Sequence, residues 1–331
     1  MAFNNAPFIT DCISCAIGQD YWNIEIIVVD QNSSDGTVDI IRARFPDVTL
    51  IRNTSNTGYA AGMNRGIAAA AGDYVLLLNS DLFLEPTFIR RAIAQLQAYA
   101  PEARVGMLAS IAYRFKAGER TCEIESVGTM LAPYHTAVDN ERIDQVEWVA
   151  GPNSAASVLS RALLDDIRLP SEEYFDQRYF CYGEDVELAM RAQLLAWRCV
   201  FAPIPNGWHI GGASANGGAR YSDKPPDLLV HALKNRHLTL LACYPMGLLL
   251  SALPWHLVVE AGQVAVSLFR RRWWMLECQL RAYAAVLRLL PYVLAKRRWL
   301  QSRRRVSSSY LRTLYVKWGV IRTFASLVRK I

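Results

Sequence analysis

The sequence predicts an α/β protein in which a sheet of buried parallel strands is covered by helices and followed by a helical, strongly basic C-terminal region. Three observations predict it. Apolar runs at Ile24–Val29 and Tyr74–Leu78 alternate with helical patterns through residues 7–110, as strands buried on both faces do. Apolar residues make up 52% of the 331 and charged ones 20%, enough to bury a large core and to exclude wholesale disorder. From Arg270 to Ile331 sixteen Lys and Arg face one acid, Glu277, whereas the whole chain carries only +6. An acidic body is therefore joined to a basic tail, and that tail should meet something anionic.

Taken in order, a helix is expected over 7–18, with Phe8, Ile9, Cys12, Ile13 and Ala16 on one apolar face. The C-x-x-C of Cys12 and Cys15 has no second pair to complete a zinc site, so the two read as core residues or as a redox pair. Seven scattered cysteines and an N-terminus without a signal-peptide pattern point to a reduced, cytosolic protein. A strand ends at Asp30; a helix over 36–44, a strand over 48–51, a helix over 60–71 and a strand over 74–78 follow. Residues 111–222 are less regular, with a helix near 185–195. Leu238–Val259 is apolar and, at 22 residues, long enough to span a bilayer, although Pro245 and Pro254 interrupt it. These changes divide the chain at about 1–110, 111–237 and 238–331.

Ligands of parallel α/β sheets sit at the carboxyl ends of the strands, so the polar residues there come first. Asp30 closes a buried strand before Asn32, Asp35 and Gly36; it offers an acceptor for a base or ribose hydroxyl, or else the turn is a plain cap with Asp35 at its N-terminus. Asn56, Gly58 and Asn64 lie where a glycine-containing loop enters a helix, an arrangement that serves close ligand approach or mere packing. Asp81, two residues after Asn79, can hold a hard divalent cation or cap a turn. Glu184 and Asp185 open a helix behind Tyr179-Phe180-Cys181-Tyr182-Gly183: one acid can favour the helix N-terminus while the other acts as a base. His209, beside Gly211 and Gly212, is a metal ligand or an ordinary lone histidine.

Together, the order and spacing of Val28–Thr37, Asn56–Gly66, Leu76–Asp81, Trp148–Gly151, Phe175–Arg191 and His209–Ser214 resemble the family-2 glycosyltransferases, rhamnosyltransferase-like branch. The resemblance covers roughly residues 4–240. It implies a GT-A type, Rossmann-like nucleotide-sugar-binding domain, here with the family's first strand missing because the chain opens at Met1-Ala2-Phe3-Asn4. It implies that Asp30, Asn32, Asp35, Asn56, Gly58 and Asn64 hold a UDP- or dTDP-linked sugar, and that Asp81 and His209 hold Mg²⁺ or Mn²⁺. Asp185, supported by Glu184, would be the base of an inverting transfer to a saccharide or lipid-linked acceptor in cell-envelope polysaccharide biosynthesis. A catalytically inactive, membrane-bound scaffold is the alternative, motivated by the missing strand. Ser80 stands where the family usually has proline.

The tail lies outside the resemblance. Arginines alternate with apolar residues and with Trp273, Trp274, Trp299 and Trp318; Arg281 and Arg288 share a helical face opposite Leu287 and Leu290. Such a helix can lie in a membrane interface, arginines on anionic lipid. Nucleic acid is not expected, because no recognition fold accompanies the charge. A nucleotide-sugar donor and the basic tail both belong to the cytoplasmic side, so a peripheral or monotopic enzyme at the inner face of the plasma membrane is expected.

Overall fold

The computed structural model describes residues 1–131, 137–139, 147–153, 155–211 and 224–315. Its contacts divide the chain into two compact units: one of Met1–Thr129, Asp139–Phe180 and Trp197–Gly211, the other of Met130–Val138, Cys181–Ala196 and Gly212–Ile331.

The first unit begins with α1 (Ile9–Ile17), whose buried Ile9, Cys12, Ile13 and Ala16 form the expected apolar stripe; Cys15 is only half-buried. Then come β1 (Ile27–Asp30), α2 (Thr37–Arg44), β2 (Thr49–Arg52), α3 (Gly58–Ala69) and β3 (Tyr74–Leu78). β4 (Leu82–Leu84), α4 (Phe88–Gln97), β5 (Val105–Lys116) and β6 (Glu119–Ser126) follow. β7 (Thr129–Leu131) and β8 (Ala137–Asp139), which belong mostly to the other unit, pair with one another. β9 (Trp148–Val149), β10 (Ala156–Ser160), α5 (Arg161–Asp166) and, beyond α6, β11 (Arg198–His209) complete the unit. The helix and strand over 36–51 and the strand over 74–78 fall where the periodicity puts them.

Strand direction is a correction. β1 and β2 are parallel, but the larger sheet, ordered β3-β10-β5-β11-β4, is mixed. β10 runs antiparallel to β3 and β5, and β11 is parallel to β5 but antiparallel to β4. An apolar run reports burial on both faces and carries no information about direction. A core of Leu82, Phe88, Leu96, Leu108, Val158 and Val200 packs around this sheet. Between β1 and β3 lies the N-terminal backbone: Ala2 bridges Asp30 in parallel, and the Met1 ammonium donates to Leu78 O at 3.2 Å.

The second unit is helical: α6 (Glu184–Leu194), α7 (Pro226–Cys243), α8 (Met246–Phe269), α9 (Trp273–Arg303) and α10 (Ser308–Thr313). The apolar segment 238–259 is not one element. The chain breaks at Tyr244-Pro245, where a proline beside a helix start is tolerated, and α8 then runs on through Pro254 to Phe269. Leu229 and Leu233 of α7 pack on Cys278 and Ala282 of α9. The Arg281 guanidinium pairs with Asp227 of α7 at 2.6 Å, so its exposed charge is partly engaged within the protein. Trp318 and Ser214 lie outside the described residues.

Candidate active site

In the first unit, β1 delivers Asp30 to a fully buried position at its carboxyl end. Its Oδ2 accepts the Ser33 N–H at 3.1 Å, while Oδ1 is buried with no hydrogen-bond partner among the described residues. An unmatched carboxylate oxygen carries a desolvation penalty unless a ligand donor meets it. Asn32 is exposed in the left-handed region (φ 63°), a conformation that asparagine tolerates. Asp35 spends its oxygens locally: Oδ1 accepts the Thr37 N–H (3.1 Å) and hydroxyl (2.5 Å), and Oδ2 accepts the Ala6 N–H at 2.9 Å. Slight burial works against ionisation, but these hydrogen bonds outweigh it and hold the Asp35 carboxyl below its usual range. Asp35 therefore ties the N-terminal loop to the start of α2.

The loop before α3 is fastened by a residue that the sequence reading missed. Gln31, fully buried, donates from Nε2 to Gly58 O at 3.0 Å, and its Oε1 accepts Asn53 Nδ2 at 2.8 Å and the Thr57 N–H at 3.0 Å. A Cβ on Gly62 would lie 2.1 Å from Gln31 Nε2, which explains a glycine one turn into the helix. Asn56 is exposed, its Oδ1 accepting the Gly58 N–H at 2.9 Å. Asn64 is buried and committed to backbone: Nδ2 donates to Phe175 O (2.7 Å), and Oδ1 accepts from the Tyr174 and Phe175 N–H groups (3.0 and 2.7 Å). Its amide pins the 174–175 segment to α3.

The second cluster of this unit is built by strand register. β4 pairs with β11 so that His209 stands opposite Leu82, next to Asp81. β11 pairs with β5, and β5 with β6, which carries Glu125 to the same place. His209 Nε2 lies 3.2 Å from Asp81 Oδ1, and Nδ1 lies 2.8 Å from Glu125 Oε2. Gly211 is in the left-handed region (φ +78°), and a Cβ there would approach Glu125 Oε1 to 2.9 Å, so glycine leaves room for the acid. Burial disfavours the imidazolium, yet the hydrogen bonds and charges of Asp81 and Glu125 outweigh it and push His209 up to about 10. Glu125 lies in no motif; 84 residues from His209, it was invisible to local pattern.

This donor set fits a hard divalent cation. Nε2 of His209 is buried without a good hydrogen bond and faces Asp81. A carboxylate on the far ring nitrogen is the usual support for a metal-bound imidazole, because it fixes the tautomer and orients the ring.

Glu184 and Asp185 belong to the second unit. They open α6 after Gly183, and the preceding backbone holds Phe180, Tyr182 and Gly183 at positive φ (64°, 66° and 85°). Asn235 of α7 fixes that turn, donating to the Cys181 and Tyr182 carbonyls at 2.9 and 2.7 Å. Glu184 is buried, and Oε2 has no hydrogen-bond partner among the described residues. Burial, then the charge of Asp185, raises its carboxyl well above the usual range. Burial also raises Asp185, whose Oδ1 accepts the Val186 N–H at 2.8 Å. One turn on, Glu187 and Arg191 of the same motif form a fully buried pair at 2.9 Å, and Lys296 of α9 reaches Glu187 at 2.9 Å. These two motif residues are structural, and they fasten α6 to α9.

The chain is similar to known glycosyltransferases in sequence and in fold. The family model for Glycosyl transferase family 2 matches residues 1–141. Over 206 residues the chain is 26% identical to Glycosyltransferase GlyG of Streptococcus pneumoniae, covering 60% of this chain and 65% of that protein. Over 205 residues it is 27% identical to an N-acetylglucosaminyl-diphospho-decaprenol L-rhamnosyltransferase of Mycobacterium tuberculosis, covering 54% and 64%. The chain thus spans less than two thirds of the length of these curated relatives. Among solved structures, TarS residues 1–349 of S. aureus in complex with UDP superposes with a TM-score of 0.52 at 17% identity, over 96% of this chain and 91% of that one. GalNAc-T7 with UDP, GalNAc and Mn²⁺ gives 0.51 at 11% identity, over 72% and 45%. At such identities these structures show the fold alone, which is GT-A-like, and over residues 1–141 the chain is similar to the family 2 glycosyltransferases.

Proposed function

We propose that the protein transfers a hexose, such as rhamnose, from a UDP- or dTDP-linked donor to a lipid-linked saccharide with inversion at the anomeric carbon. The transfer serves cell-envelope polysaccharide assembly at the cytoplasmic face of the membrane. The observation that carries this reading is the convergence of Asp81 and His209 Nε2, with Glu125 behind the imidazole. Support also comes from the relatives: one is named for an L-rhamnosyl transfer onto a decaprenol-linked sugar, and two neighbours in fold hold UDP.

In this reading Asp30, with its free Oδ1, accepts a hydrogen bond from the base or ribose, and Asn32 and Asn56 flank the nucleotide. Gln31, Asp35 and Asn64 hold the loops that shape that pocket. Asp81 and His209 hold Mg²⁺ or Mn²⁺, which when bound neutralises the departing diphosphate. Asp185 takes the proton of the acceptor hydroxyl. The acceptor oxygen forms a bond to the anomeric carbon as the bond to the diphosphate oxygen breaks, its electron pair leaving with the diphosphate. Glu184, protonated more readily than an ordinary carboxyl, keeps a second negative charge from competing with Asp185.

The test is titration calorimetry with UDP and with dTDP, each with and without Mn²⁺, on the wild type and Asp81→Ala. Metal-dependent binding that the substitution abolishes is the expected result, and the preferred base narrows the donor. If neither nucleotide binds, the donor site is absent and the inactive-scaffold reading replaces this one.

A further inference from the structure

Helix α8 buries polar residues and exposes apolar ones. His256, Glu260, Gln263 and Ser267 recur at helical spacing and are buried together with Leu248, Ala252 and Val259. On the exposed side, beginning next to that stripe, Met246, Leu250, Leu253 and Leu257 recur at the same spacing, with Leu250 61% and Leu257 57% exposed; Trp255 and Val258 extend the apolar surface around the helix. A surface helix of a water-soluble protein has the reverse arrangement. A scatter of single exposed apolar side chains needs no explanation, but a continuous stripe on a 24-residue helix does.

The buried stripe is matched from within the same unit. Glu260 pairs with Arg236 of α7 and accepts the Tyr283 hydroxyl of α9 at 2.6 Å. Gln263 accepts from Arg236 at 3.2 Å, and His256 Nε2 meets His237 Nδ1 at 2.9 Å. Donor atoms of His237, His256 and Glu260 come within 4.8 Å of one another, but Arg236 already neutralises the acid. The polar residues therefore hold α8 to α7 and α9, and the helix turns its apolar side away from them.

We propose that this outward side of α8 is seated in the hydrocarbon of an anionic lipid bilayer, with the α8–α9 turn at the headgroup level. Charge complementarity selects the occupant. The stripe is followed directly by Arg270, Arg271 and Arg272, and then by the exposed Trp273 and Trp274. Basic side chains bind anionic headgroups, and tryptophans settle at the membrane interface. The polar stripe stays against protein, so α8 lies in one leaflet with a single face in lipid, although 24 residues at ~1.5 Å each would suffice to cross. This inference deepens the membrane placement proposed above and rests on it, but it does not depend on glycosyl transfer. Vesicle binding reads the surface, and nucleotide calorimetry reads the donor site.

The experiment is flotation of the full chain with vesicles of phosphatidylcholine alone and of phosphatidylcholine with phosphatidylglycerol. The wild type is expected to float with the anionic vesicles. Leu250→Glu with Leu257→Glu is expected to lower the bound fraction at least about tenfold, since each leucine loses its apolar transfer. Arg270→Gln, Arg271→Gln and Arg272→Gln together are expected to remove the preference for phosphatidylglycerol, each basic residue contributing about fivefold. Because the charged variant could misfold, Trp255→Phe provides an independent reading: brominated acyl chains should quench the wild type more than this variant. Wild type that stays in the aqueous fraction overturns the proposal. So does equal flotation of the double-glutamate variant, or equal quenching of Trp255→Phe. A lipid-free dimer that Leu257→Glu converts to monomer would assign the face to a second copy instead.

Discussion

Two clusters of buried charge, one in each unit, differ in how completely their charges are matched. In the helical unit, Glu187, Arg191 and Lys296 are almost wholly buried, and Arg191 grips Glu187 through two bonds, at 3.0 and 2.9 Å. In the sheet unit, Asp81, His209 and Glu125 stay partly exposed, and one imidazole nitrogen has no good hydrogen bond. Each cluster contains two residues of the motifs read from the sequence, Glu187 and Arg191 in one and Asp81 and His209 in the other. The difference teaches that a motif names charged residues, while saturation and burial decide whether a charge holds the fold or remains available to a ligand. Glu184 makes the same point within α6: three residues before Glu187, it is buried with one oxygen unmatched among the described residues.

The strongest way to break the comparison is Glu187→Met. If the helical cluster is structural, removing the carboxylate that Arg191 and Lys296 share should cost about 3–5 kcal/mol, since buried charges lose their partner. Thermal unfolding measures this, and a transition within a degree of wild type would contradict it. Glu125→Gln should do the opposite kind of damage. The fold should survive, while Mn²⁺ affinity falls about 10–100-fold as the second ring nitrogen of His209 loses its carboxylate. Calorimetry with Mn²⁺ and UDP reads that loss, and unchanged affinity would remove Glu125 from the site.

The smallest effect is a matter of sign. The raised carboxyl of Glu184 binds its proton more tightly in the folded than in the unfolded chain. Its favourable contribution is therefore complete below the unfolded pKa, about 4.3, and is lost as pH rises through the folded value. Glu184→Gln abolishes this loss, so it should raise the unfolding temperature at neutral pH, with the gain vanishing near pH 4. A gain that persists at low pH would point to a packing effect instead.

Local periodicity was enough to reveal α2, β2, α3, β3 and α6, because an apolar face needs only its own residues to be visible. The strand-end acids Asp30 and Asp81 were legible for the same reason. The direction of β10 and the role of Gln31 were not, because both are settled by hydrogen bonds to distant chain. The tail shows the limit most clearly. Its charge and apolar content could be counted, but Pro254 suggested an interruption where α8 continues, and the exposed pairing of Arg281 with Asp227, 54 residues away, left no trace in local spacing.

The sequence by itself determined the order of the elements from α1 to β3, the acidic body and basic tail and most of the residues able to do chemistry, since composition and short-range spacing encode all three. Only the tertiary structure decided which charges are neutralised, that Glu125 joins His209, and that α8 turns its polar stripe inward. Those outcomes depend on which distant residues come within hydrogen-bonding distance, and a spacing along the chain does not record that.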